Sequence, residues 1–191
     1  CEAAITAMID AGLKLNQKKA SEILFKLYDT YGIEYQLIFQ KFLERIMGGV
    51  DYKILANAIT AYRRTQAGFL HPYPHVRSTL LRLREHGVKL GVVSDAPKLK
   101  AWLRLAEMGL TDFFEVVVTL DDTGEAKPSS APFKVALRKV GAKPSAVLFV
   151  GDNPERDIKG AEKVGMRTAL AKYGRMKGVR STAKADYELR D

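Results

Sequence analysis

Residues 146–157 read Ala-Val-Leu-Phe-Val-Gly-Asp-Asn-Pro-Glu-Arg-Asp. The five residues from Ala146 to Val150 are wholly apolar, the pattern of a strand buried on both faces in a parallel sheet. A strand-to-helix turn follows, so Asp152 and Asp157 fall beyond the strand's carboxyl end. That edge is where open α/β sheets bind their ligands.

The same grammar extends outward from this block. Upstream, Val88 to Val93 reads as a buried strand, followed by a helix through Trp102, Leu103 and Leu105 that ends at Gly109. Phe114 to Thr119 is a second strand, and Phe133 to Val140 lies on a helix closed by Gly141. Downstream, a helix ends at Gly165 and Thr168 to Ala171 forms a short strand. Strands alternating with helices of this length predict an α/β fold with a doubly wound parallel sheet in three layers.

Before His71 the period changes. Apolar stripes at Ile5, Met8, Ile9 and Leu13, at Ile23, Leu24, Leu27 and Tyr28, at Leu37, Ile38, Phe42, Leu43 and Ile46, and at Ile54, Leu55, Ala58, Ile59 and Tyr62 predict four short helices. Gly32 and the pair Gly48-Gly49 stop the second and third. A small helical bundle over residues 1–70 is therefore expected ahead of an α/β core over residues 71–191. His71-Pro72-Tyr73-Pro74 is a stiff connector, since each proline disfavours helix in the residue before it. Tyr28, Tyr31, Tyr35 and Phe39 are either core residues of the bundle or the lining of a cleft.

With 191 residues, 47% of them hydrophobic and 28% charged, the chain has the composition of a soluble protein. No apolar run is long enough to cross a bilayer. The single cysteine, Cys1, excludes an internal disulfide framework and suits a reducing cytoplasm. A net charge of +9 invites a nucleic-acid reading. Against it, the cations are spread over the whole chain, with no recognition helix or RNA-binding aromatic motif among them.

Three strand ends carry polar residues. Ser94-Asp95 follows the first strand, Asp121-Asp122 and then Lys127-Pro128 follow the second, and Asp152 and Asp157 follow the third. Each has an ordinary explanation: a serine as helix cap, a solvated lysine, carboxylates at a helix N-terminus. Arriving together at successive strand ends, they form a candidate ligand site.

The order Val-Val-Ser-Asp at 92–95, Ala-Lys-Pro-Ser-Ser-Ala-Pro-Phe at 126–133 and Gly-Asp-x-x-x-x-Asp from Gly151 resembles motifs two to four of the haloacid dehalogenase (HAD) superfamily, phosphatase type with a helical cap. The resemblance covers residues 71–191, with residues 1–70 in the place of the cap. It implies that Ser94 and the amide of Asp95 bind a phosphoryl oxygen at a helix start and that Lys127 neutralises charge in the reaction. It further implies that Asp152 holds Mg²⁺ and that Asp157 orients Lys127 or a metal-bound water. The family's first motif, an aspartate-x-aspartate strand end bearing the nucleophile, has no match here. Leu120-Asp121-Asp122-Thr123 imitates it in letters only and is expected to be a loop. The missing strand would lie between those ending at Ser94 and Val150, so about 10 to 25 further residues are expected upstream. The implied activity is Mg²⁺-dependent hydrolysis of a small phosphorylated metabolite, such as a sugar or triose phosphate. The rivals are a non-catalytic module of the same fold and a haloacid dehalogenase, which would not need the acidic pair. Oligomeric state is not readable.

Overall fold

A computed structural model describes residues 1–174 and 183–190. The chain divides into two units, Cys1–His71 and Pro72–Asp191.

The first unit is helical throughout: α1 (Glu2–Asp10), α2 (Gln17–Tyr31), α3 (Ile38–Met47) and α4 (Tyr52–Phe69). Asn16 caps α2 by accepting the Lys19 N–H, and Asp51 caps α4 by accepting those of Lys53 and Ile54. The apolar stripes meet in one core that includes Ile5, Met8, Leu24, Phe42, Leu43 and Ile54. Ala4 and Ala58 are fully buried in it. Leu13 lies past the end of α1 yet joins this core. Phe39 is core as well, edge-on to Tyr62 at 5.6 Å. Tyr31 and Tyr35 stack at 4.9 Å, with Tyr31 exposed. Tyr28 packs against the core, and burial, helped by Tyr62 and Glu34, pushes its hydroxyl up to about 12.

The second unit alternates α5 (Val76–Glu85), β1 (Gly91–Val93), α6 (Lys98–Glu107), β2 (Val116–Val118), α7 (Leu120–Thr123), α8 (Ser130–Val140), β3 (Leu148–Gly151), α9 (Lys159–Glu162), β4 (Arg167–Ala171) and β5 (Tyr187–Leu189). Every strand pairing is parallel, β1 with β2 and β3 with β4 with β5. The fold is thus α/β, as the alternation requires. Asp186 fastens β5 to β4 by accepting both the N–H and the hydroxyl of Thr168. Phe133 on α8 is fully buried and meets the Phe149 ring edge-on at 4.9 Å.

Three features depart from expectation. Residues 120–123 are not a loop but the one-turn helix α7, because Thr119 and Asp122 form a reciprocal capping box. The segment after β3 enters its helix through a π-turn, Pro154–Ile158, in which the Ile158 N–H reaches back to the Asn153 carbonyl. Finally, β1 and β3 are not fully buried: Leu148 is 48% and Val150 49% exposed, and Gly91 is exposed. The reason is lateral. The two strands do not pair with each other, and a cleft of about 960 Å³ lies beside both.

Among the described residues no helix is long and apolar enough to cross a membrane.

Candidate active site

The cleft is lined by Val92 and Val93 of β1, by Leu148 to Gly151 of β3, and at its polar end by Lys127, Asp152, Arg156 and Asp157. Lys127 follows β2 by way of α7, and Asp152, Arg156 and Asp157 lie in the turn after β3, so parallel strand direction gathers them at one edge.

Lys127 is the centre. Its ammonium donates to the Val93 carbonyl at 3.0 Å and pairs with Asp157 Oδ1 at 2.8 Å. Its backbone N–H donates to Asp95 Oδ1 at 2.9 Å. The Phe149 ring lies 5.7 Å from Nζ, an aromatic face towards the cation. Lysine and aspartate side chains are only 8% and 3% exposed, so the pair is buried and its charge is shielded from water. Burial alone would raise the Asp157 carboxyl. Lys127, the Asn153 N–H and Arg156 outweigh it and hold Asp157 below the usual carboxylate range. The Asn153 N–H donates to Asp157 Oδ2 at 3.0 Å.

Asp152 behaves in the opposite way. Burial, with the Asp157 charge beside it, pushes its carboxyl up. A carboxylate so placed carries negative charge that its protein neighbours do not balance, and a cation at its oxygens would relieve it. Among the described residues no three His, Cys, Asp or Glu side chains gather into a metal cage. That donor set suits Mg²⁺, which is held through one or two carboxylates with waters and substrate phosphate completing its shell. It would not suit a structural transition metal. The under-balanced carboxylate is compatible with Mg²⁺.

Ser94 sits at the end of β1, its N–H donating to the Val118 carbonyl. The hydroxyl accepts the Ala96 N–H at 3.2 Å, which leaves the hydroxyl proton for a ligand oxygen. Here the helix-start expectation is corrected. The next helix begins only at Lys98, with Pro97 as its cap, so the amide of Asp95 belongs to a loop rather than to a helix N-terminus. The Asp95 side chain has a different use, as the acceptor for Lys127.

Asp121 and Asp122 are committed elsewhere. Asp121 accepts the Lys98 N–H at the start of α6, and Asp122 accepts the N–H and hydroxyl of Thr119.

Four contacts had no signal in the sequence. The backbone at Gly174 closes on Asp152, where an added Cβ would lie 3.1 Å from the aspartate Cβ. Its neighbour Tyr173 is held edge-on to Tyr73 at 5.2 Å. Arg156 reaches Asp95 and Asp157, with Nε at 3.4 and 3.5 Å from their oxygens.

Residues 7–171 match a family model described as haloacid dehalogenase-like hydrolase. A protein of Methanocaldococcus jannaschii named glyceraldehyde 3-phosphate phosphatase is 34% identical over 186 residues, 97% of this chain and 82% of its own length. One of the same name from Methanopyrus kandleri is 37% identical over 174 residues, 90% of this chain and 75% of its own. The crystal structure of a HAD phosphatase from Thermococcus onnurineus is similar with a TM-score of 0.70 at 27% identity, covering 98% of this chain and 83% of that one.

Proposed function

Since the chain belongs to the haloacid dehalogenase-like hydrolase family, we propose that the protein is a Mg²⁺-dependent phosphatase that hydrolyses a small phosphorylated metabolite, with triose phosphates the first candidates. The observation that carries this reading is the buried Lys127–Asp157 pair beside the under-balanced carboxyl of Asp152, at the same sheet edge as Ser94. The named activity of the relatives supports the substrate class.

In this mechanism the Ser94 hydroxyl donates to a phosphoryl oxygen. Lys127, unable to swing because Val93 and Asp157 hold its ammonium, neutralises charge on the phosphoryl group and on the attacking carboxylate. Asp157 keeps the lysine aimed. Asp152 would hold Mg²⁺, which would supply charge neutralisation at the phosphoryl group. The phosphoryl group passes to a nucleophilic aspartate as an aspartyl-phosphate. The helical unit serves as the cap, and the reaction takes place in the cytoplasm.

The test is phosphate release by the intact protein from a panel that includes glyceraldehyde 3-phosphate, with and without Mg²⁺. Turnover should require Mg²⁺ and fall by orders of magnitude in Lys127→Ala. Asp152→Asn should need far more Mg²⁺ for half-maximal rate, and an unchanged metal titration would remove Asp152 from the role of ligand. The commitment of Asp121 and Asp122 to helix caps favours one second reading, a phosphate-binding module without turnover. It predicts Mg²⁺-dependent phosphate binding and no hydrolysis of any panel member.

A further inference from the structure

The spacing Gly-Asp-x-x-x-x-Asp says nothing about its fourth spacer residue, which here is Arg156. Its Nε lies 3.4 Å from Asp95 Oδ2 and 3.5 Å from Asp157 Oδ1. Each of those carboxylates already holds one end of Lys127: Asp95 accepts its backbone N–H and Asp157 pairs with its ammonium. We propose that Arg156 is a positioning residue, a brace that ties the loop after β1 to the turn after β3 and so fixes Lys127 at both ends.

Charge balance supports the brace. Asp95 and Asp157 are 15% and 3% exposed, and both face the lysine, so their two negative charges are met by Lys127 and Arg156 together. Removing the arginine would leave one carboxylate uncompensated in a poorly hydrated place, which costs far more than loss of an exposed ion pair. The turn itself aims the arginine. Asn153 Oδ1 accepts the Arg156 N–H at 3.0 Å, which fixes the backbone from which the side chain reaches. Both Arg156 Nε and Asp157 Oδ1 are buried atoms without a hydrogen bond of good alignment, so the two groups are held by charge rather than by a directed bond. Buried polar atoms left in that condition call for an explanation, and a brace held by charge supplies one.

The brace is a statement about structure. Only its consequence for turnover rests on the phosphatase reading. The experiment compares Arg156→Met, which keeps the apolar stem and removes the charge, with Arg156→Lys, whose ammonium can reach the position of Nε. Hydrogen exchange is followed at the Lys127 and Asn153 amides, which donate to Asp95 and Asp157. Arg156→Met should speed exchange at both by about tenfold or more, and Arg156→Lys should stay within about threefold of the parent. In parallel, kcat/KM should fall by about 10²-fold in the methionine variant and recover in the lysine variant. Unchanged exchange at both amides in Arg156→Met, or a lysine variant that behaves as the methionine one, overturns the proposal. Absence of turnover in the parent protein would overturn the phosphatase reading instead, while the exchange data still decide the brace.

Discussion

Gly151 ends β3, and Asp157 packs directly on it. A Cβ at that position would lie 2.5 Å from Asp157 Cβ and 2.9 Å from both Cγ and Oδ2. To reach an ordinary contact of 3.4 Å, the aspartate must recede by about 0.9 Å at its Cβ. It has little room to do so. Its Oδ2 is fixed by the Asn153 N–H and its Oδ1 by Lys127, and the residue is 2% exposed. Gly151→Ala should therefore act twice. Overpacking at a buried site costs about 1 to 3 kcal/mol, which in a chain of this size lowers Tm by about 2 to 12 °C. A displacement near 1 Å of the residue that aims Lys127 should cut kcat/KM by about 10²-fold, mostly in kcat, since the lysine acts in the transition state. The assay is phosphate release at saturating and sub-saturating substrate, on the intact protein, beside a thermal melt at the same pH. A variant within threefold of the parent in kcat/KM, with an unshifted melt, would show that Asp157 does not need the space that glycine leaves.

Gly160→Ala tests packing away from the charges. The new methyl would lie 2.5 to 2.6 Å from the buried Phe133 ring, and overpacking should outweigh the gain of about 1 kcal/mol that alanine brings to a helix. A net loss of about 1 kcal/mol, read as a fall in Tm of about 2 to 4 °C, is expected; a Tm at or above the parent would refute it. Asp122→Asn tests the capping box. Hydrogen bonds from the Thr119 hydroxyl and N–H, then Lys98 and Lys139, hold the Asp122 carboxyl well below its ordinary range. Because its folded value lies beneath the unfolded one near 3.9, its stabilisation is present above that pH and is lost as pH falls below about 4. Urea midpoints at pH 7 and pH 3 should thus differ more in the parent than in the variant, and equal differences would sink the assignment.

The parts of the site that were legible in the sequence are those fixed by local order. Strand direction puts Ser94, Asp152 and Asp157 at one edge whatever the details of packing, and the apolar run before Gly151 identifies the strand. The helical period of residues 1–70 was likewise readable, because each stripe faces its neighbours within a few turns. Three things were not readable. The exposure of Leu148 and Val150 depends on what lies beside β3, which a strand's own residues do not state. Helix α7 hid behind its letters: Thr-Leu-Asp-Asp satisfies a capping box, but with no apolar run after it the acidic pair read as loop. Arg156 carried no local signal, since its partner Asp95 comes from a loop far upstream in the chain.

The charges around Lys127 differ in how much water they meet, and salt will tell them apart. The Lys127–Asp157 pair, at 8% and 3% exposure, lies where mobile ions do not reach, so its attraction should persist at high ionic strength. The Arg156 side chain is 40% exposed while its Nε is buried, so its outer guanidinium nitrogens are the part that meets the ionic atmosphere. At 1 M salt the screening length shrinks to about 3 Å, so the exposed end of the guanidinium is screened first. Concentrated salt is therefore a way to slacken the outer charge of this cluster while the inner pair stays closed, without changing a single residue.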